Sequence, residues 1–179
     1  MNSKAAFVTL AKEKGLIGKA IFSLCFSTDG GYISFGNIFE KYHTEPIKYT
    51  SYQHGNMYQI KLKSYLMESE NGKTKVSTNY YSVIDSGTTL TYMPSALNNE
   101  LINKIGNFCS KFDCKSSYSK GCFKPNQGKT KADVIKTLPK LFFYLGENED
   151  VEMVWLPRNY ITADESDTNK FCIGTYSWK

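Results

Sequence analysis

Residues 83–94 read VIDSGTTLTYMP. Val83 and Ile84 run straight into Asp85, and Ser86, Gly87, Thr88 and Thr89 follow. A carboxylate placed against an apolar strand loses hydration and is kept there only if donors surround it. This stretch supplies them: three hydroxyls, and a glycine that lets backbone approach closely. The plainest role for the acid is an Asx turn, in which Asp85 accepts backbone N–H groups. The apolar lead-in and the run TTLTYMP behind it point instead to an internal turn that holds the acid for chemistry.

The chain around this turn has 179 residues, enough for one domain with its own core. Hydrophobic residues make up 41% and aromatics 15%, which excludes a disordered chain. Thirteen Tyr and eleven Phe favour strands. The net charge of +5 has one mild concentration, KSSYSKGCFKPNQGKTKADVIK, read as a solvated loop face with no nucleic-acid partner. No apolar run reaches the length of a membrane span, and Lys12 and Lys14 interrupt the start before any signal-peptide core develops. The five cysteines, Cys25, Cys109, Cys114, Cys122 and Cys172, contain no C-x-x-C, so a metal site is not expected. Disulfides in an oxidising compartment with one thiol left over, or free buried thiols, both fit that count.

Working outward along the chain, Ser3 is expected to cap a helix over KAAFVTLAKEK that ends at Gly15. AIFSLCFS reads as a buried strand, STDGG as a turn and GYISFG as the return strand. IKYTSY reads as a short strand. MYQIKLKSYLM alternates Tyr58, Ile60 and Leu62 against Gln59, Lys61 and Lys63, the pattern of a half-buried strand. Asn71-Gly72 is expected to turn a hairpin whose second strand, TNYYSVI, runs into Asp85. After Pro94, Leu97, Leu101, Ile102 and Ile105 share one helical face, with Ser95 as a cap. Residues 110–131 read as loop. TLPKLFFYLG and VEMVWLP are strands around ENED, NYITADESDTNK is loop, and FCIGTYSW is a last strand. The expected class is mostly β, with antiparallel sheets and two short helices.

The phosphatase pattern D-x-D-G-T also follows an apolar strand. It needs a second Asp where this chain has Gly87, and alternating helices and parallel strands that the pattern lacks. The order of pieces resembles another family, the pepsin-like aspartic proteases. VIDSGTTLTYMP is similar to the D-[ST]-G-[ST] signature of their second, C-terminal lobe. IFSLCFSTDGGYISFGN resembles their lobe-connecting strand and hairpin, with a spelling nearer the plant, ciliate and apicomplexan branches. IKYTSY with MYQIKLKSYLM, LPKLFFYLGENEDVEMVWLPRNYI and KFCIGTY resemble later strands of that lobe, so the likeness covers nearly the whole chain.

The resemblance implies a single lobe of the bilobal acid protease fold. Residues 1–14 would be a helix like the end of a first lobe, and residues 15–179 a C-terminal lobe without its closing segment. It implies Asp85 as the catalytic aspartate, Thr88 as a hydroxyl interlocking with a first-lobe counterpart, and Gly87 and Thr89 beside substrate backbone, with Ser86 in support. It implies disulfides Cys122–Cys172 and Cys109–Cys114, no cofactor and no metal, and a secretory or endolysosomal setting. The mechanism needs two carboxyls sharing one proton. This sequence holds one such motif; Asp29, Asp113, Asp133, Asp164 and Asp167 lack the setting and read as solvated. A lone Asp85 is expected to titrate near about 4 and to be inactive by itself.

Three readings stand. The chain is half of an aspartic endopeptidase that pairs with a first lobe to act on peptides. Or it is an inactive protease-like lobe used as a binding or structural module in a larger assembly. Or two copies each bring Asp85 across a two-fold axis. In the first two, Val83, Ile84, Ile173 and Trp178 are expected to lie partly open for a partner.

Overall fold

The computed structural model describes residues 6–53, 55, 57–69, 72–112, 114–116, 121–164 and 167–178. They fall into two units, residues 1–47 and 48–179.

In the first unit, helix α1 spans Phe7–Glu13 and starts at Ala6 with no side-chain cap. The expected cap, Ser3, lies outside the described residues. Strands β1 (Phe22–Ser27) and β2 (Gly30–Phe35) pair antiparallel, from Phe22 opposite Phe35 to Ser27 opposite Gly30. A single turn of 3-10 helix follows at Glu40–Tyr42. The strand AIFSLCFS was expected to be buried. Instead Leu24, Cys25 and Phe26 are exposed, Phe26 to 70%. The reason is architectural: a two-stranded ribbon has two faces and no sheet of its own to cover them.

The second unit is built on strands β3 (Gln59–Ser69) and β4 (Gly72–Val83), an antiparallel hairpin closed between Ser69 and Gly72. Its Asn71 lies outside the described residues. IKYTSY forms no strand; only an isolated bridge between Gln53 and Gln59 pairs there. The alternation along β3 breaks at a bulge between Leu62 and Ser64. Against β8, Lys63 is an extra residue, with Leu62 opposite Leu145 and Ser64 opposite the next residue, Tyr144; the insertion flips the pleat, so that Leu62 and Tyr65, three apart, both enter the core.

Strand β5 (Thr91–Pro94) leads into helix α2 (Ser95–Phe112). Leu97, Leu101, Ile102 and Ile105 form its buried face, as their spacing indicates, with Ile105 fully enclosed. The segment read as loop after Ser110 contains β6 (Cys114–Ser116) and β7 (Cys122–Pro125). Helix α3 (Lys131–Thr137) was also missed; its capping box joins Thr130 and Asp133. Strands β8 (Lys140–Leu145) and β9 (Val151–Trp155) follow around the ENED turn. The loop expected after them holds α4 (Pro157–Tyr160) and β10 (Ile161–Ala163). Pro at the first position of α4 fits a helix start, since its missing N–H is not needed there. FCIGTYSW is two strands, β11 (Phe171–Ile173) and β12 (Thr175–Trp178), parted at Gly174. The described residues therefore hold four α-helices rather than two.

The main sheet has order β4–β3–β8–β9 and the second β10–β11–β7–β6, both antiparallel. The one exception among the described strands is the parallel pair β5–β12. Between these elements lies one core that includes Tyr65, Leu101, Ile105, Phe123, Leu141, Phe143 and Phe171.

Candidate active site

The main hairpin delivers Asp85 to the surface. β4 ends at Val83, and the Ile84 N–H donates to the Tyr58 carbonyl at 2.9 Å, which holds the chain to β3 for one more residue. The chain then turns through residues 85–90 and is caught by β5, where the Thr91 N–H donates to the Gly174 carbonyl at 3.1 Å. Gly174 is needed as a glycine: a Cβ there would lie 3.0 Å from Thr162 Cγ2 and 3.4 Å from Leu90 Cδ2. Beneath the parallel pair, Asn98 of α2 accepts a hydrogen bond from Thr175 Oγ1 at 2.7 Å and donates to Ser177 Oγ at 3.0 Å. Asn98 and Thr175 are both buried, so these bonds are made out of competition with water.

Inside the turn, both carboxylate oxygens of Asp85 are held. The Gly87 N–H donates to Oδ1 at 2.9 Å, the hydrogen bond of an Asx turn. The Thr88 hydroxyl donates to Oδ2 at 2.5 Å. A Cβ on Gly87 would sit 3.3 Å from Oδ1, so the glycine permits the close approach. These bonds favour the ionised form. The Thr88 hydroxyl and then the Gly87 N–H hold Asp85 below its ordinary range, against a small opposing effect of desolvation. The expectation of a titration at the ordinary value is corrected in that direction. Among the described residues no neighbouring charge contributes.

The turn is not internal. Residues 85–89 are exposed, as are Val83 and Ile84. Its hydrogen bonds are local and need no burial to form, which is why apolar neighbours in sequence were a poor guide to depth. Ile173, expected to lie partly open, is buried in the core, and the side chain of Trp178 lies outside the described residues. Ser86 and Thr89 are exposed and take no part in holding the carboxylate.

Of the other acids, Asp113 lies outside the described residues, and three have partners of their own. Asp133 caps α3, Asp164 pairs with Lys170 at 2.7 Å, and Asp167 pairs with Lys124. Cys109 is joined to Cys114, tying the end of α2 to β6, and Cys122 is joined to Cys172 across β7 and β11. Cys25 carries no disulfide and is exposed on β1. Tyr58, Leu90 and Asn98 carried no signal as supports in the sequence. Only the register of distant strands brings them under the turn; Gly174 alone carried a signal, as a glycine breaking an apolar run.

Residues 1–178 match the eukaryotic aspartyl protease family. The chain belongs to that family. Its mostly β architecture with antiparallel sheets is consistent with a single pepsin-like lobe. Among relatives of this family, gastricsin of Mus musculus is 24% identical over 156 residues, 85% of this chain and 36% of gastricsin. The chain thus spans about a third of the length of the aspartyl protease it matches. No described helix is long and apolar enough to cross a membrane.

Proposed function

We propose that this aspartyl protease chain contributes the second carboxylate of a two-lobed peptidase, with Asp85 as that carboxylate. The observation that carries the reading is the turn itself. Asp85 stands exposed with both oxygens oriented by Gly87 and Thr88, so its geometry is set before any partner or substrate arrives. In the paired enzyme, one ionised carboxylate takes a proton from water as the water attacks the peptide carbonyl. The other, protonated, donates to the developing oxyanion. Like charges about 3 Å apart titrate as a pair, so the roles belong to the pair and not to either residue alone. The partner is a first lobe that carries the other D-[ST]-G-[ST] turn, and the substrate is a peptide held between the two. Thr88 and Thr89 would then face first lobe and substrate. The two disulfides suit a secretory or endolysosomal setting.

The second reading, an inactive lobe serving as a module, is favoured by a different observation. Val83 and Ile84 beside Asp85 are 42% and 54% exposed, an apolar rim that suits a partner surface whether or not chemistry follows. One experiment separates the two. The chain is mixed with a first-lobe polypeptide from an aspartyl protease, and cleavage of a broad peptide mixture is followed at acid pH with and without pepstatin. Pepstatin-sensitive cleavage that Asp85→Asn abolishes supports the catalytic reading. Tight association without cleavage supports the module.

A further inference from the structure

The chain's positive charge is concentrated. Residues 110–136 contain seven lysines and two aspartates, a difference of five that equals the net +5 of the whole chain. The fold gathers part of this excess into one place. Strands β6 and β7 set Lys115 directly opposite Lys124. Like charges opposed across a ladder destabilise it, and of these two Lys124 is paired with Asp167, whose carboxylate lines the same pocket. Among the described residues Lys115 has no ion pair. Lys129, on the loop after β7, lines the same pocket of about 360 Å³. Besides Asp167, which is taken up by Lys124, the remaining lining is Pro125, Gly128 and three amides, Asn126, Gln127 and Asn169. Ammonium groups suit the oxygens of a phosphate or sulfate, and amides suit hydroxyls. The volume lies within the range of small-ligand sites.

We propose that this pocket binds an anionic sugar through its sulfate or phosphate ester, independently of Asp85. The ester oxygens lie among Lys115, Lys124 and Lys129, where they offset the charge of Lys115, the member of the opposed pair that no described acid meets. The sugar hydroxyls lie against the amides. The test is calorimetric titration of the full chain, at constant ionic strength, with glucose 6-sulfate, glucose 6-phosphate, glucose and inorganic phosphate. Saturable binding of one ester, tighter than both glucose and inorganic phosphate, is expected, and the stronger ester identifies the group. The double change Lys115→Gln with Lys129→Gln removes two charged donors and is expected to weaken that binding at least about tenfold. Lys48→Gln, which removes one charge outside the pocket, is expected to leave it unchanged. Should the double variant fail to fold, amide shifts on the unaltered chain serve: residues 115, 124 and 129 are expected to move with the ester. No saturable ester binding, equal weakening by Lys48→Gln, shifts confined to other residues, or tighter binding of a short RNA than of either ester each overturns the proposal.

Discussion

At Asp85 the sequence offers four donors, three hydroxyls and the Gly87 N–H, and the carboxylate is oriented by two of them, Gly87 and Thr88. The D-S-G-T spelling made both of them legible: a glycine two residues on can offer its N–H, and a hydroxyl three residues on can reach the second oxygen. Its exposure was not legible, because depth depends on what packs above a turn and not on the turn. Thr88→Val removes the hydroxyl that contributes most to holding Asp85 ionised. The Asp85 titration, followed by carboxyl carbon NMR, is expected to move up toward the ordinary carboxylate range. Gly87→Ala crowds Oδ1 at 3.3 Å and is expected to move it the same way, by turning the carboxylate off the Gly87 N–H. Asp133, Asp167 and Glu149 are also held below their ordinary range, led by bonds from Thr130, Lys124 and Lys75 respectively. For such groups the unfolded chain binds more protons than the folded one. Their stabilisation is therefore full above the unfolded range near about 4 and is lost as pH falls through the folded values. Urea midpoints are expected to drop on acidification through that window, and to drop less in Thr130→Val, which loses the Asp133 contribution beforehand.

Between elements, the ties that position the turn come from far along the chain. Asn98 connects α2 to β12 by two hydrogen bonds, and its removal leaves the buried Thr175 hydroxyl without its acceptor. Asn98→Ala is expected to cost about 1–3 kcal/mol, read from urea unfolding. The Cys122–Cys172 disulfide joins residues 50 apart, and replacing both cysteines by Ser is expected to cost about 4 kcal/mol on the same scale. The long elements β3, β4, α2, β8 and β9 were legible, because each carries a clear period or an apolar run. The short ones β6, β7, β10, α3 and α4 were not. The strands and α4 have three or four residues and α3 has seven, too few to carry a clear period, and the strands are held by two disulfides and by neighbouring strands. The bulge at Lys63 was hidden for a related reason: lysine at a half-buried position reads as ordinary alternation until the partner register is known.

At the scale of the whole molecule, family membership makes proteolysis the chemistry to test, and under the proposed reading one D-S-G-T turn would supply half of what that chemistry needs. The isolated chain is expected to cleave no peptide between about pH 3 and 7, in a direct assay with sensitive mass-spectrometric detection. Pepstatin-sensitive turnover by the chain alone, abolished by Asp85→Asn, would instead establish two copies sharing a site. The central claim is that Asp85 is one member of a carboxylate pair completed by another lobe. Its most direct measurement is the titration of the Asp85 carboxyl carbon, first in the isolated chain and then bound to a first-lobe polypeptide. Alone, Asp85 should lose its proton in a single step below the ordinary range, as Thr88 and Gly87 dictate. In the complex, a shared proton predicts two coupled steps, one proton being retained to markedly higher pH and the coupling vanishing when the first-lobe aspartate is changed to Asn. An Asp85 titration unchanged by a bound first lobe would contradict it.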